Sequence, residues 1–219
     1  MTEQTPLRTW YFVRHGETYW NAEKRMQGQW ESELNDNGKG HADANGRWLK
    51  DLGIEHVWAS PQVRVRQTAE IISRHMPLAA NPQFDDRLKE WSSGDWSGML
   101  YHDIAKERPD EWAKWEADRY QYRPPNGENF VDLEVRSDSF LNEFRDHPAK
   151  IRAVIAHGFI IRVMVGRLTG LSVEDVLAVK QANDIVIRVR EMPDDKTIDH
   201  FIAGEGPVAG LPLGEQGAA

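Results

Sequence analysis

Apolar and polar positions fall into blocks along the chain that predict strands, each followed by a helix. Trp10-Tyr11-Phe12-Val13 is a short run of β-favouring side chains, and His56–Ala59 is a second one. Ile151–Ala156 is almost continuously apolar, as expected of a strand buried on both faces. Residues 185–189 and 198–202 predict the last two strands.

Segments between these strands show helical spacing and helix-start residues. Cap residues at 35–38 predict a helix that runs to about Asp51, and Ser60-Pro61 predicts the start of the next one. Asn129 predicts the cap of a long helix, and an apolar helix over 160–168 follows the third strand. This alternation predicts an α/β three-layer sandwich, with a mainly parallel central sheet and helices on both faces.

The length of 219 residues fits one large domain, which we expect to span residues 1–203. From Gly204 onward, glycine, proline and alanine dominate, and too few large apolar side chains remain to form a core. We therefore expect residues 204–219 to be a disordered C-terminal tail.

Composition and charge exclude several classes of function. The formal net charge of -8 argues against a nucleic-acid binder, and no stretch reaches the roughly 20 apolar residues of a membrane span. The chain has no cysteine, so thiolate catalysis, disulfides within the chain and Cys-ligated metals are excluded. Met1 to Leu7 is polar and lacks the apolar core of a signal peptide, so we expect a cytoplasmic protein.

Ionisable residues stand where three of the predicted strands end. Arg14-His15-Gly16-Glu17-Thr18 follows the first strand, His157-Gly158 follows the buried third strand, and Arg64 lies in the first turn of the helix after the second strand. In sheets of this kind ligands bind at the carboxyl ends of the strands. The sequence therefore predicts that these side chains converge on one site.

Two histidines and at least two arginines near helix starts suit a dianion, most simply a phosphate. Without cysteine, and without a Gly-x-Ser-x-Gly turn, the nucleophile that remains is an imidazole. A carboxylic acid would then protonate the leaving alcohol. No His-Glu-x-x-His spacing and no P-loop occurs, so metal catalysis fits less well, and we expect neither a metal nor an organic cofactor.

Five segments, in order, resemble the signatures of the histidine phosphatase superfamily, the phosphoglycerate-mutase-like group. The resemblance covers about residues 9 to 190, and its segments are Arg14–Thr18 with Trp20-Asn21 and Arg25-x-Gln27-Gly28, then Ser60–Ala69, Leu88-x-Glu90 with Gly94–Gly98, Gly127-Glu128 and His157-Gly158.

This resemblance implies a role for each matching residue. His15 would be the phosphorylated nucleophile, and Glu90 the proton donor to the leaving group and then the base that activates water. His157 would complete the catalytic set. The phosphoryl group would be held by Arg14, Asn21, Arg64 and Gly158, and a substrate pocket would be formed by Glu17, Thr18, Trp20, Gln27, Gly28 and Trp91.

Within the family, the stretch after Glu90 resembles the broad-specificity and α-ribazole-type phosphatases. Glycolytic mutases typically carry Arg-His-Tyr-Gly there and paired arginines in a longer insertion, whereas this chain has Trp91-Ser92-Ser93-Gly94 and the single Arg123. We therefore expect a phosphatase that acts on small phosphomonoesters. A phosphoglycerate mutase and a non-catalytic relative that binds a phosphorylated ligand stay open as alternatives.

Aromatic residues near these segments are open to two interpretations. They could line an aromatic mouth that would suit aryl or nucleotide phosphates, or most of them could belong to the core. The residues concerned are Tyr19, Trp20, Trp30, Trp91, Trp96 and Tyr120. The oligomeric state is also open, with a homodimer as one candidate.

Overall fold

The computed structural model describes residues 5–213, whose regular elements alternate as the sequence predicts. The strands are β1 (Arg8–Arg14), β2 (His56–Ala59), β3 (Gln83–Phe84), β4 (Ile151–Ala156), β5 (Ile185–Glu191), β6 (Lys196–Ile202) and β7 (Glu205–Ala209). The helices are α1 (Tyr19–Ala22), α2 (Asp36–Leu49), α3 (Val63–Ser73), α4 (Tyr101–Glu107), α5 (Pro109–Ala117), α6 (Phe130–Glu143), α7 (Gly158–Thr169) and α8 (Val173–Ala178). Short 3-10 turns cover Pro77–Ala80, Asp86–Leu88 and Gly94–Trp96.

Over the described residues the strands form one mixed sheet in the order β3-β2-β4-β1-β5-β6-β7. The four strands β3, β2, β4 and β1 pair in parallel, whereas β5, β6 and β7 add to β1 as an antiparallel extension. The predicted α/β architecture is confirmed, and the parallel character belongs to the half of the sheet that carries the crossover helices. The connections from β5 to β6 and from β6 to β7 are too short for a crossover, so these strands pair as antiparallel hairpins.

Alternation along β1 explains the layers on both faces of the sheet. Trp10 and Phe12 point into the larger core, which contains apolar side chains of α4, α5, α6 and α7. Tyr11 and Val13 point into the second core, which contains apolar side chains of α2 and α3. Successive side chains of a strand face opposite sides, so β1 must be covered twice to be buried. The predicted sandwich with helices on both faces is therefore confirmed.

The helix after β2 begins later than the sequence predicts. Helix α3 starts at Val63, with Gln62 at the N-cap position and no hydrogen bond from the Gln62 side chain to the helix start. The Ser60 hydroxyl, predicted as the cap, is instead bonded to His157 at 2.8 Å. The Glu31 carboxylate, from the loop before α2, accepts from the Val63 backbone N–H at 3.0 Å.

The C-terminal segment departs from the disordered tail expected from Gly204. Glu205–Ala209 forms the edge strand β7, which pairs antiparallel with β6. All five residues of β7 are exposed. A strand can form here without burying its side chains, because edge pairing uses backbone hydrogen bonds that composition does not reveal. Residues 214–219 of the predicted tail lie outside the described residues.

No helix within residues 5–213 combines the length and the apolar character that crossing a bilayer would need. The carboxyl ends of β1 and β4, which are neighbours in the sheet, open on the same edge. Residues that follow these two strands are thereby placed side by side.

Candidate active site

His15 and His157 occupy equivalent positions at the ends of the two central parallel strands. The backbone N–H of His15 donates to Ala156 at 3.0 Å, which extends the ladder between β1 and β4 by one residue. The two imidazole rings have centroids 5.1 Å apart and meet edge to face. Both rings are almost fully buried, with exposed fractions of 2% and 0%.

The hydrogen bonds of His15 define which ring nitrogen is free. Nδ1 lies 2.7 Å from the carbonyl oxygen of Gly16. A carbonyl oxygen can only accept, so Nδ1 carries the proton and Nε2 carries the lone pair. Burial lowers the pKa of His15 well below its usual value, and the charges of Arg64 and Arg14 lower it further. At neutral pH the ring is therefore a neutral imidazole with an available nucleophilic nitrogen.

His157 has the opposite tautomer because its partners differ. Arg64 Nε donates to His157 Nδ1 at 3.1 Å, so Nδ1 must be unprotonated. The proton then lies on Nε2, which is 2.8 Å from the Ser60 hydroxyl. Burial lowers the pKa of His157 well below its usual value, and the neighbouring Arg64 adds to this effect. In this arrangement His157 fixes the position of the Arg64 guanidinium.

Arg64 is held on all three of its nitrogens. Besides the contact with His157, its two terminal nitrogens donate to the carbonyl oxygens of Trp30 at 2.9 Å and Gly28 at 2.8 Å. Its side chain is 1% exposed, and burial lowers the pKa of Arg64 to about 10, so the guanidinium stays charged at neutral pH. The Thr68 hydroxyl donates to the Arg64 carbonyl at 2.7 Å and accepts from Gly16 N–H at 3.1 Å. This hydroxyl joins the start of α3 to the loop after His15.

Arg14 provides the second guanidinium of the site. One terminal nitrogen donates to the Gln181 carbonyl oxygen, while Nε is buried and has no partner among the described residues. Burial lowers the pKa of Arg14, and the charge of Glu90 opposes that effect. A Cβ added to Gly158 would lie 3.6 Å from Arg14 Nε and 3.9 Å from Glu90 Oε2. Gly158 therefore leaves the approach to both groups open.

Glu90 lies at the start of α7, where backbone N–H groups have no partner within the helix. Its carboxylate accepts from Phe159 N and Ile160 N, each at 3.3 Å, and from Trp91 N at 2.9 Å. Gln62 Oε1 accepts from the Glu90 backbone N–H at 2.8 Å. These bonds hold the carboxylate beside the phosphoryl pocket with an exposed fraction of 8%.

These groups open into one cleft of about 260 Å³. Its lining residues are Arg14, His15, Asn21, Lys24, Arg25, Met26, Gln27, Gly28, Arg64, Glu90, Trp91, Tyr101 and Phe159. Eight residues predicted for the site are among them, namely Arg14, His15, Asn21, Gln27, Gly28, Arg64, Glu90 and Trp91.

Five predicted site residues do not line the cleft: His157, Gly158, Glu17, Thr18 and Trp20. Thr18 is the N-cap of α1, and its hydroxyl and backbone N–H both lie 3.1 Å from Asn21 Oδ1. These contacts leave the amide N–H groups of Asn21 as its remaining donors. The Glu17 carboxylate accepts from Asn35 at 2.7 Å and so braces the start of α2. Trp20 pairs with Trp30 at a centroid distance of 6.4 Å.

The aromatic residues divide between the two interpretations left open by the sequence. Trp91, Trp96 and Tyr120 are buried members of the larger core, although Trp91 also contributes to the cleft wall. Tyr19 and Trp30 are exposed. Most of the buried aromatic surface therefore serves packing.

Several residues that build the site were not identified from the sequence. Gln62 and Ser60 lie within a matching segment, but their contacts with Glu90 and His157 depend on the fold. Lys24, in the turn after α1, and Tyr101, at the start of α4, both line the cleft, and Tyr101 N donates to the Lys24 carbonyl oxygen at 3.1 Å. The one sequence signal for Lys24 was its position between the matching residues 21 and 25.

The arrangement can bind a dianion and attack it. Two charged guanidinium groups and the Asn21 amide can surround phosphoryl oxygens, while the free Nε2 of His15 can approach phosphorus. Among residues 5–213 no group of three or more histidine, aspartate and glutamate side chains is arranged to hold a metal ion.

Comparison with known proteins gives one family and two kinds of relative. The model for the histidine phosphatase superfamily (branch 1) matches residues 10–203. A protein of Erwinia tasmaniensis named "Probable phosphoglycerate mutase GpmB" is 33% identical over 181 residues, which is 82% of this chain and 83% of that protein. The protein of the same name from Escherichia coli O139:H28 is 35% identical over 163 residues, 74% of each chain.

Solved structures show the same fold. The α-ribazole phosphatase from Shigella flexneri superposes with a TM-score of 0.80 at 21% identity, covering 92% of this chain and 100% of that one. A mycobacterial glucosyl-3-phosphoglycerate phosphatase in complex with VO3 has a TM-score of 0.76 at 26% identity, covering 88% and 97%.

Proposed function

The chain belongs to branch 1 of the histidine phosphatase superfamily, and we propose that it is a metal-independent phosphatase that hydrolyses small phosphomonoesters through a phosphohistidine on His15. One observation carries this proposal. The His15 ring donates from Nδ1 to Gly16, so Nε2 is unprotonated in a cleft that also holds two guanidinium groups.

In the first step His15 Nε2 attacks phosphorus. The bond from phosphorus to the ester oxygen breaks, and the Glu90 carboxyl group gives its proton to the leaving alcohol. Arg14 and Arg64 face the phosphoryl oxygens, on which negative charge is distributed in the transition state. The proton stays on Nδ1 of His15, and its hydrogen bond to the Gly16 carbonyl oxygen stabilises the positive charge that the ring gains.

In the second step a water molecule attacks the phosphohistidine. Glu90, now a carboxylate, accepts a proton from this water, and the phosphorus–nitrogen bond breaks. Phosphate leaves, and both His15 and Glu90 return to their starting states. Each step uses only groups of this chain, which supports activity without a metal.

A phosphoglycerate mutase is the second candidate, favoured by the name of the relatives at 33% and 35% identity. In that case the phosphoryl group on His15 would return to a bound hydroxyl instead of passing to water. The residues after Glu90, and the name of the mycobacterial relative at 26% identity, support the phosphatase.

The test is phosphate release from a panel of phosphomonoesters in the presence of a chelator, with wild type and His15→Ala compared. The panel contains p-nitrophenyl phosphate, nucleotides, sugar phosphates and 3-phosphoglycerate, with conversion of the last to its 2-isomer followed in parallel. We expect release that survives chelation and falls by at least about 1,000-fold in His15→Ala, because the covalent route is lost.

Isomer exchange with little phosphate released would assign the protein to the mutases. No turnover of any kind, with phosphate binding retained by both proteins, would point to a non-catalytic relative.

A further inference from the structure

Gln62 occupies the N-cap position of α3, yet its side chain makes no hydrogen bond to the start of that helix. The Val63 backbone N–H is bonded instead to the Glu31 carboxylate, at 3.0 Å. Gln62 is only 3% exposed, so its amide must find its hydrogen-bond partners inside the protein. Those partners lie in the active site.

The two ends of the Gln62 amide contact two different parts of the site. Oε1 accepts from the Glu90 backbone N–H at 2.8 Å, and Nε2 faces the carbonyl oxygen of Gly28 at 3.5 Å. A backbone N–H can only donate and a carbonyl oxygen can only accept, so these two partners fix the orientation of the amide. The position requires one acceptor and one donor, which glutamine supplies without a charge.

The carbonyl oxygen of Gly28 is also a partner of the phosphoryl pocket, because it accepts from Arg64 at 2.8 Å. Arg64 faces the phosphoryl oxygens in the proposed reaction, whereas Glu90 protonates the leaving oxygen. Gln62 therefore joins the backbone of the general acid to the carbonyl group that holds the guanidinium. A displacement of about 1 Å between such groups can cost about 100-fold in rate.

The other side of the Glu90 backbone has separate partners. Its carbonyl oxygen accepts from Gln29 Nε2 at 3.0 Å and from Arg136 at 3.1 Å. The Glu90 N–H has Gln62 as its acceptor and no other within residues 5–213. Removal of the Gln62 amide would thus release one side of this residue and leave a buried N–H without an acceptor.

We propose that Gln62 is a positioning residue for the general acid: its amide holds the backbone of Glu90 at a fixed distance from the Arg64 pocket. Gln62 is not among the residues that line the cleft, so it acts through Glu90 and not on the substrate. This inference rests on the proposed function, because the proton transfer from Glu90 belongs to that reaction.

The test uses two substrates of similar shape that differ in their need for a proton. Phenyl phosphate releases a strongly basic phenolate unless it is protonated, whereas p-nitrophenyl phosphate releases a weakly basic anion. Gln62→Met keeps the length of the side chain and removes both hydrogen bonds. We expect kcat/KM to fall by about tenfold or more for phenyl phosphate, and by less than about threefold for p-nitrophenyl phosphate. This ratio covers the steps up to phosphoryl transfer to His15 and excludes the later attack of water.

A second measurement shows whether the effect passes through Glu90. Glu90→Gln removes the acid, and in that background Gln62→Met should lower kcat/KM for phenyl phosphate by no more than about a further twofold. A general loosening of the cleft would instead multiply the two losses. Gln83→Met is the matched control, because Gln83 is exposed on β3 and does not line the cleft. It should keep the wild-type kcat/KM for both substrates.

Thermal melts accompany the assays, because the loss of a buried hydrogen bond in Gln62→Met should lower the melting temperature by several degrees. Rates are measured well below both melting temperatures. Gln62→Asn repeats the test if Gln62→Met does not fold. Its amide is one methylene shorter and cannot reach both partners, while asparagine is a favoured residue at a helix N-cap.

Equal losses for the two substrates, or losses that multiply in the Glu90→Gln background, would overturn the positioning role. Phosphate release by wild type would in that case still uphold the proposed hydrolysis. No phosphate release by wild type from either substrate would reject the hydrolysis itself, and with it the role of Gln62 in that reaction.

Discussion

His15 and His157 make the stability of the protein depend on pH at the scale of single residues. Both rings are buried beside Arg64, and the pKa of each is well below its usual value of about 6.5 in an unfolded chain. Below that pH the unfolded chain binds protons that the folded rings do not, and this proton binding stabilises the unfolded state. With respect to these two histidines, the free energy of unfolding is highest above about pH 6.5. It decreases as the pH falls from there towards their pKa values in the folded protein.

We therefore predict that the free energy of unfolding falls by about 1.4 kcal/mol per pH unit for each histidine just below pH 6, in addition to the effect of carboxylates. Urea denaturation at pH 7.5, 6 and 5 measures it, in a buffer without phosphate. His15→Asn should remove the contribution of one buried histidine from this slope, whereas His102→Asn, at an exposed position, should leave the slope intact. Parallel pH dependences for wild type and His15→Asn would contradict the burial argument.

At the scale of elements, the loop before Trp30 positions Arg64 through the carbonyl oxygen of Gly28. Gly28 has φ 51°, and a Cβ added there would lie 2.4 Å from Ser93 Oγ and 2.9 Å from Ser93 N. We predict that Gly28→Ala destabilises the protein by about 2 kcal/mol or more. It should also lower kcat/KM for p-nitrophenyl phosphate by at least about tenfold, because the loop must move away from Ser93 and this displaces the Gly28 carbonyl oxygen that holds Arg64.

Gly40→Ala is the matched control for this change. Gly40 is exposed within α2, and a Cβ there meets nothing within 4 Å. Alanine should stabilise the helix by up to about 1 kcal/mol and leave activity unchanged. Thermal melts and initial rates of both variants test these predictions. A Gly28→Ala variant that is as stable and active as wild type would show that the loop does not position Arg64.

The elements and the site differ in how far the sequence predicts them. The strands and helices around His15 and His157 follow from apolar periodicity, since those elements are buried on both faces and their pattern is local. Ser60 shows the limit, because its hydroxyl could either cap α3 or bind His157, and only the approach of β4 decides. Lys24 and Tyr101 meet through one backbone bond between distant segments, which no local pattern encodes.

At the scale of the whole molecule, the sheet continues past the residues that carry the site. The family model ends at residue 203, yet β7 pairs with β6, Leu211 packs against the larger core, and Lys180 N donates to the Pro212 carbonyl at 2.6 Å. The dominance of glycine, proline and alanine from Gly204 onward made this segment resemble a disordered tail. Its contribution comes from backbone pairing along an edge and from one or two side chains beyond it.

We predict that a chain ending at residue 203 still folds and retains the cleft, because all residues lining the cleft precede that point. It should lose about 1–3 kcal/mol of stability, or roughly 3–10 °C in melting temperature, and it should associate through the uncovered edge of β6. Differential scanning calorimetry and size-exclusion chromatography measure both effects.

Ile202→Lys in the truncated chain is the control, because a lysine on an open edge opposes strand pairing. It should restore the monomer without restoring the melting temperature. An unchanged melting temperature and elution volume after truncation would mean that β7 does not stabilise the sheet or protect its edge.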